Sequence, residues 1–320
     1  MVSIIVVNYN GIKFLDRCLG SLFTQTHKDY EVLLVDNASQ DESVSFVKSK
    51  FPECKVIPSE KNLGFAGGNN LGISHATGDL ILLLNNDTWL DPDFLEKIVA
   101  FYDSHNFDVV APYEAYYDGQ KKDPYVIKID PLGHPVYLKS FEDSDSGFYL
   151  SGVCILFSKK LYMETQGLDG DFFMYFEETD WFWRLNLMGK VFSYVPELYV
   201  YHAGAGSTGS GIKYLSFLWR NQNTLQMLLK NYLWRNLLWV LPLYFAQNIG
   251  EIFFFLVLLK PKISFSYLQG WFFNIQNFRG TMRKRKWVQN NRVVSDSFIF
   301  SRMYLGFGKI KHLKEFFHNE

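Results

Sequence analysis

The sequence is poor in the features that usually fix a protein's class at a glance. Its 320 residues hold three cysteines, Cys18, Cys54 and Cys154. The set is odd in number, scattered and without metal-like spacing, so it fits a reducing compartment in which each thiol acts as a small apolar side chain. There is no internal repeat. The start, MVSIIVVNYNG, lacks a basic n-region, and its apolar run is too short for a secretion signal. It is expected to form a first strand, and no export is expected. Neither GxGxxG nor GK[ST] occurs in the glycine-rich segment at residues 62–78, so that segment is neither a dinucleotide fingerprint nor a P-loop.

What is present points to a folded enzyme-sized chain. Hydrophobic residues make up 48% and aromatics 18%, which excludes a disordered protein. The length allows one large core or two smaller ones. The net charge of −1 conceals a division. Residues 1–210 hold 16 Lys+Arg against 29 Asp+Glu, whereas residues 211–320 hold 16 against 4. The acidic part can host cations, and the basic part can meet anionic lipid or nucleic acid.

Up to about residue 110, apolar runs alternate with amphipathic stretches. VSIIVVNYN (2–10), EVLLVDNAS (31–39), KVIPSE (55–60) and DLILLLNND (79–87) read as strands. Between them, residues 14–25 and 41–50 read as helical, 62–78 reads as Gly- and Asn-rich and then helical, and a further helix is expected to start near Pro92. Continuous apolar strands separated by helices predict a mostly parallel α/β sheet covered on both faces. In the middle, residues 112–125 read as hairpin or loop and 139–148 as a surface loop. Residues 149–158 read as a strand, 177–189 as a helix ended by Gly189, and 190–202 as a strand pair broken at Pro196. The Gly/Ser-rich HAGAGSTGSG (202–211) marks a domain boundary, giving units 1–210 and 211–320.

The second unit is expected to be helical. Residues 237–259 are long enough to cross ~30 Å of hydrocarbon, but they include Pro242, Gln247, Asn248 and Glu251. Three readings remain open: a soluble core helix pair, a pair lying in the membrane interface with Trp234, Trp239 and Trp271 at headgroup depth, and a true span. The basic residues Lys260, Lys262 and Arg283-Lys284-Arg285-Lys286 favour attachment to an anionic cytoplasmic leaflet.

Ligands of open parallel sheets gather at the carboxyl ends of the strands. Those ends carry Asn8, Asp36-Asn37 and Asn85-Asn86-Asp87. Asp36 can accept from a base or ribose, or can be a turn residue. Asp87 can supply one hard oxygen to Mg²⁺ or Mn²⁺, or can simply close a turn. Gly64, Gly67 and Gly68 before a helix allow close approach of a phosphate. Glu177, Glu178 and Asp180 cluster among aromatics, where a carboxylate suits general-base work, and Asp180 with Arg184 forms an i,i+4 pair. His202 ends a strand beside flexible glycines and can be structural or can meet a metal or phosphate.

In this order, SIIVVNYNG, EVLLVDNAS, NLGFAGGNN, ILLLNNDT, FFMYFEETDWFWRL and YVYHAGAGST resemble glycosyltransferase family 2, across about residues 3–208. The resemblance is strongest to the bacterial rhamnosyltransferase-like branch that builds cell-surface polysaccharides such as O-antigen. It implies a GT-A fold and a single-displacement, inverting sugar transfer from a nucleotide-diphosphate donor, with dTDP-rhamnose ahead of UDP-hexoses. It also implies that Asn8 and Asp36 contact the nucleotide, that Asn62, Gly67 and Asn70 lie along the ribose-diphosphate, and that Asn86 adjoins the diphosphate. Asp87 corresponds to the last carboxylate of a DxD-like motif, with Asn85 where many relatives carry the first Asp, and His202 matches a residue near the Mg²⁺ or Mn²⁺. Glu178 falls at the catalytic base, with Glu177 and Asp180 as alternatives. The acceptor is expected to be lipid-linked or a glycan, and the location is the cytoplasmic face of the membrane. No nucleic-acid partner is expected. Two other classes stand against this reading. A nucleotidyltransferase would need a glycine-rich, lysine-containing loop after the first strand, where NYNGIKFLDR has one glycine and Lys13. The other is a catalytically inactive sugar-nucleotide-binding or membrane scaffold protein.

Overall fold

The computed structural model describes residues 1–139, 147–204 and 214–309. The first hundred residues run β1 (Val2–Asn8), α1 (Ile12–Phe23), β2 (Tyr30–Asp36), α2 (Ser43–Lys50), β3 (Lys55–Pro58), α3 (Gly64–His75), β4 (Leu80–Asn85), the two-residue β5 (Thr88–Trp89) and α4 (Phe94–Ser104). Helix α1 forms because Leu15, Cys18, Leu19 and Leu22 recur at i, i+3, i+4 and i+7 and bury one stripe. The strands are apolar on both faces because both are covered. Ile5, Leu33, Val35 and Leu83 enter the core under α3, and Ile4, Val6, Leu34 and Leu82 enter the core under α1, α2 and α4.

The chain continues through β6 (Val109–Tyr116), β7 (Tyr125–Ile129), β8 (Pro135–Lys139), β9 (Cys154–Ser158), α5 (Lys159–Glu164), α6 (Glu177–Leu187) and β10 (Phe192–His202). Eight strands form one sheet in the order β3-β2-β1-β4-β9-β6-β10-β5, and β7 and β8 form a separate antiparallel pair. The run β3-β2-β1-β4 is parallel, as is β6 with β10, while β9 and β5 run against their neighbours.

Two expectations about the middle are corrected. Residues 112–116 are not loop but the end of central strand β6, whose buried face reads Ala111, Tyr113, Ala115 and so hides the usual branched alternation. Residues 192–202 are one strand, not a broken pair. A register shift between Tyr194 and Tyr199, with Glu197 at φ 56°, absorbs Pro196 as a bulge. The expected loop at 139–148 and the boundary at 210 fall on 140–146 and 205–213, outside the described residues apart from their margins.

Among the described residues five helices follow: α7 (Tyr214–Asn231), α8 (Trp234–Val257), α9 (Pro261–Gln276), α10 (Phe278–Asn291) and α11 (Asp296–Arg302). They continue the sheet's core, since Tyr232, Leu237, Val240, Tyr244, Val288 and Ile299 belong to the same buried cluster as Ile5 and Leu83. Among the described residues α8 is the one helix long and apolar enough to cross a membrane, and only 22% of its apolar window is buried in the protein. Leu238, Phe253, Phe254 and Val257 on α8, and Phe265, Phe272 and Ile275 on α9, are exposed. The basic run at 283–286 is not wholly a solvent face. Arg283 and Lys286 are exposed, but Lys284 pairs with Asp169 and Asp171, and buried Arg285 donates to the carbonyls of Leu229 and Tyr232.

Candidate active site

The parallel register carries the polar strand ends to one edge. Asn8 lies opposite Asp36 across β1–β2, and Val7 lies opposite Asn85 across β1–β4. The asparagines there are largely committed to each other. Asn86 Nδ2 donates to Asn8 Oδ1 at 2.8 Å, and Asn8 Nδ2 donates to Ser39 Oγ at 3.2 Å. Gly11 makes this bridge possible, because a Cβ there would lie 2.3 Å from Asn86 Nδ2 and 2.4 Å from Asn8 Oδ1. Asn37 ties the β2 end to the loop before α3, donating to Asn62 Oδ1 and to the Gly64 carbonyl, both at 3.0 Å.

Asp36 differs. Its Oδ2 accepts from the Ser39 N–H at 3.3 Å, but its buried Oδ1 has no partner among the described residues. A buried carboxylate oxygen left unpaired is costly and points to a missing donor such as a base N–H or a hydroxyl.

The glycine-rich helix serves another purpose than the phosphate cradle expected of it. A Cβ on Gly68 would lie 2.7 Å from Val7, and one on Gly72 2.4 Å from Ile5, so these glycines let α3 press on β1. The start of α3 is also already occupied. The N–H groups of Leu63, Gly64 and Phe65 donate to Asn37 Oδ1, Asn62 Oδ1 and the Phe173 carbonyl. Gly64, at φ 73°, would place a Cβ 2.0 Å from that carbonyl. Asn70 does not reach the edge, since it lies in the second turn and both ends of its amide are used, by the Tyr162 hydroxyl and the Leu168 carbonyl. Gly67 faces a half-open side of the helix, where an added Cβ would meet only Leu63.

Asp87 follows β4 and sits against the end of β10. His202 Nε2 lies 3.2 Å from Asp87 Oδ1, and His202 Nδ1 lies 3.2 Å from Glu114 Oε2. Burial alone would lower the His202 pKa, but the two carboxylates override it and raise it to about 9. Burial likewise would raise Glu114, and His202 with the Ser151 hydroxyl holds it at about 2 instead. The donor set fits a divalent ion in a limited way. An ion at Asp87 would have to displace the Nε2 proton of the His202 imidazolium, after which Glu114 on Nδ1 would hold the tautomer that offers Nε2, the carboxylate–histidine arrangement common at metal ligands. Among the described residues no cluster of three His, Cys, Asp or Glu able to hold a metal occurs, so the remaining ligands would have to be diphosphate oxygens and water.

The carboxylates of α6 are not equivalent. Asp180 is fully buried and saturated by Arg184, Lys230 and Asn231, at 2.9–3.1 Å. It is a structural charge, and the expectation of Asp180 as a base is corrected. Glu177 is buried with its Oε2 unpaired among the described residues, and burial together with the neighbouring Glu178 raises its pKa well above the ordinary range. Glu178 also has an Oε2 unpaired among the described residues and a raised pKa, first from burial, but it stands in the wall of a cavity of about 330 Å³. Two consecutive aromatic residues, Tyr175 and Phe176, adopt left-handed backbone angles (φ 71° and 69°) to turn the chain into α6. Such strain persists only where surroundings enforce it. Here Asn223 of α7 donates to the carbonyls of Met174 and Tyr175, at 3.0 and 2.7 Å.

Residues 151–153 join the two sides. Ser151 Oγ donates to Glu114, Gly152 lies under the Glu178 side chain (3.4 Å from its Cγ to a Cβ built on the glycine), and the Val153 carbonyl accepts from Asn85 N–H at 2.9 Å. Sequence reasoning missed Glu114, which sat in a stretch read as loop, and Asn223 and Lys230, which act from a distant helix. For Gly152 a signal existed: a glycine just ahead of an apolar strand marks a close approach.

Residues 3–165 match the model of a family described as glycosyl transferase family 2. An uncharacterized glycosyltransferase, YwdF, of Bacillus subtilis is 37% identical over 108 residues, which are 33% of this chain and 40% of that protein. The N-acetylglucosaminyl-diphospho-decaprenol L-rhamnosyltransferase of Mycobacterium tuberculosis is 24% identical over 239 residues, 65% of this chain and 78% of that one. Among solved structures, GalNAc-T7 with UDP, GalNAc and Mn²⁺ superposes with a TM-score of 0.60 at 15% identity, over 71% of this chain and 47% of that one. The chain thus spans less than half the length of the Bacillus relative and of the GalNAc-T7 chain. The structural likeness establishes the fold: a GT-A-type α/β sheet flanked by helices, with a C-terminal helical region.

Proposed function

From the premise that this chain belongs to glycosyl transferase family 2, we propose that it transfers a sugar from a nucleoside-diphosphate donor to a lipid-linked or polysaccharide acceptor in cell-surface glycan synthesis. The observation that carries the reading is the short 151–153 segment, which touches both the polar strand-end edge and the Glu178 side chain. A donor lying on that edge would present its anomeric carbon toward Glu178.

In this reading Asp36 uses its unpaired Oδ1 to accept from the nucleotide, and the Asn8–Asn86 bridge shapes the floor under the sugar diphosphate. Asn62 and Gly67 flank the ribose side. Asp87 and His202 would hold a Mg²⁺ or Mn²⁺ ion, which when bound neutralises diphosphate charge and eases departure of the nucleotide. Glu178 takes the proton of the acceptor hydroxyl. The new bond forms between that oxygen and the anomeric carbon, the bond from carbon to the diphosphate oxygen breaks, and the nucleotide leaves with the electron pair. Attack from the opposite face inverts the anomeric configuration. Raised basicity suits Glu178 to this task.

The name of the mycobacterial rhamnosyltransferase supports rhamnose as the transferred sugar, and dTDP-rhamnose is taken as the leading donor, with UDP-hexoses behind it. Residues 1–210 would form the catalytic unit and 211–320 a membrane-attaching unit at the cytoplasmic face. The exposed apolar sides of α8 and α9, with Lys260, Lys262, Arg283 and Lys286, support that placement. One observation favours an inactive sugar-nucleotide-binding protein as second reading: Asn85 stands where a first metal carboxylate is expected. Incubation with a panel of NDP-sugars and divalent ions, measuring released nucleotide, separates the two. Metal-dependent release supports the enzyme, and binding without release supports the scaffold.

A further inference from the structure

Gln247, Asn248 and Glu251 interrupt the apolar sequence of α8, and the fold gives two of them partners. Gln247 Nε2 donates to Glu251 Oε1 at 3.0 Å. Glu251 in turn accepts from the Tyr267 hydroxyl at 2.5 Å and pairs with Lys309 at 2.6 Å. Asn248 is the exception. It is 1% exposed, and its Nδ2 has no hydrogen-bond partner among the described residues. The Tyr244 hydroxyl lies beside that amide, but it donates elsewhere, to the Asn221 carbonyl at 3.3 Å, and makes no well-aligned bond with Nδ2. A buried N–H without an acceptor is destabilising, so its retention in an otherwise apolar helix points to a missing oxygen.

Asn248 lines the same cavity of about 330 Å³ as Glu178. Neighbouring polar groups in that wall have partners of their own: His134 has Asp130, and Lys309 and Tyr267 have Glu251. Among the described side chains of the wall, two carry a buried polar atom without a partner, Glu178 Oε2 and Asn248 Nδ2. The first accepts when ionised, and the second can only donate.

We propose that Asn248 is a specificity-determining residue for the acceptor: its Nδ2 donates to an oxygen of the same sugar ring whose hydroxyl Glu178 deprotonates. This rests on Glu178 being the base. The occupant of the cavity has to donate to one wall atom and accept from the other, and a neutral polyhydroxy ring does both with two of its oxygens. The volume lies near the lower end of the roughly 300–1,000 Å³ of small-molecule sites, which leaves room for a single ring. A site built to bond a particular oxygen discriminates strongly against a ligand that lacks it, because the buried N–H is then left unpaired. Helix α8 thus has two tasks. Phe253 and Val257 are exposed on its apolar side, while Asn248 turns an amide to the cavity. In this arrangement the first 210 residues read the donor, and the helices beyond them read the acceptor.

The test compares wild type with Asn248→Leu, as full chains in a polyoxyethylene detergent that carries no sugar. Leucine keeps the shape and removes the donor. The variant should unfold at the same temperature as the wild type or higher, since no hydrogen bond among the described residues is lost. The probes are the methyl glycosides of glucose, galactose, mannose, N-acetylglucosamine and rhamnose, titrated with UDP or dTDP saturating the donor edge. The glycoside that binds the wild type most tightly should bind Asn248→Leu roughly tenfold more weakly, while UDP and dTDP bind both proteins alike. One monodeoxy form of that glycoside should lose affinity for the wild type and lose none further in the variant. A lower unfolding temperature for Asn248→Leu would overturn the proposal, because the amide would then be structural. Equal glycoside binding by the two proteins would overturn it, as would failure of all five glycosides to bind the wild type. Monodeoxy forms that each lose as much in the variant as in the wild type would also overturn it, since no contact would belong to Asn248. Glycoside binding without nucleotide binding would instead defeat the donor reading alone, and full-rate transfer by Glu178→Gln would defeat the base assignment alone.

Discussion

The two sides of the site are held in place by different means. The strand-end edge is tied from within the first ninety residues, by neutral amide pairs such as Asn8–Asn86 and Asn37–Asn62. Helix α6 is held from the far end of the chain, by Asn223, Lys230 and Asn231 of α7 and by Lys284 of α10, which pairs with Asp169 in the loop before it. The difference teaches that the C-terminal helices brace the candidate site as well as carrying the exposed apolar sides of α8 and α9. Neutral pairs hold a floor cheaply, because a lost amide bond exposes no charge. Buried ions hold a helix firmly only while every partner is present.

The comparison can be broken most sharply at Glu178. Glu178→Gln should lower kcat by about 10²–10⁴-fold while nucleotide binding at the opposite edge is retained, since only the proton acceptor is lost. Because burial raises the Glu178 pKa, the wild-type rate should fall as pH drops through a value above the ordinary carboxylate range, and this limb should vanish in the variant. Lys230→Met comes next. It leaves Asp169 and Asp180 without their shared buried cation and should cost about 3–5 kcal/mol in denaturant unfolding.

Two smaller substitutions should separate the sides. Asn223→Ala frees the strained Tyr175–Phe176 turn and should cost about 1–3 kcal/mol, lowering kcat with donor affinity unchanged. Gly11→Ala drives a methyl into the Asn8–Asn86 bridge, a cost of about 1–3 kcal/mol, and should weaken donor binding. Reversed effects would show that the two sides are not separately supported.

The smallest effect concerns Glu177. Its raised native pKa means the folded state holds the proton more tightly, so stability falls as pH climbs from the unfolded carboxylate value toward the native one. Glu177→Gln should be more stable than wild type at pH 8 and equal to it near pH 4, as read by thermal unfolding.

Much of the first half was legible because its strands are continuous and its polar residues stop them abruptly. Asn8, Asp36 and Asp87 fall at one edge for the reason the periodicity gave, a parallel register. Gly68 misled because close packing on Val7, like that of Gly72 on Ile5, demands the same residue as close approach to a phosphate. Asn70 misled because a helix position says nothing of which neighbour takes its amide. Glu114 and Asn223 could not be read at all. Each works through a contact 88 or 48–49 residues away in sequence, and no local pattern encodes such a pairing.

A crystal of the full chain soaked with a nucleotide-sugar and Mn²⁺ tests the central claim most directly. The account predicts the base beside Asp36, the ion on Asp87 and His202, and the sugar's anomeric carbon turned to Glu178 across residues 151–153. A donor seated elsewhere, or one whose sugar faces away from Glu178, would contradict it.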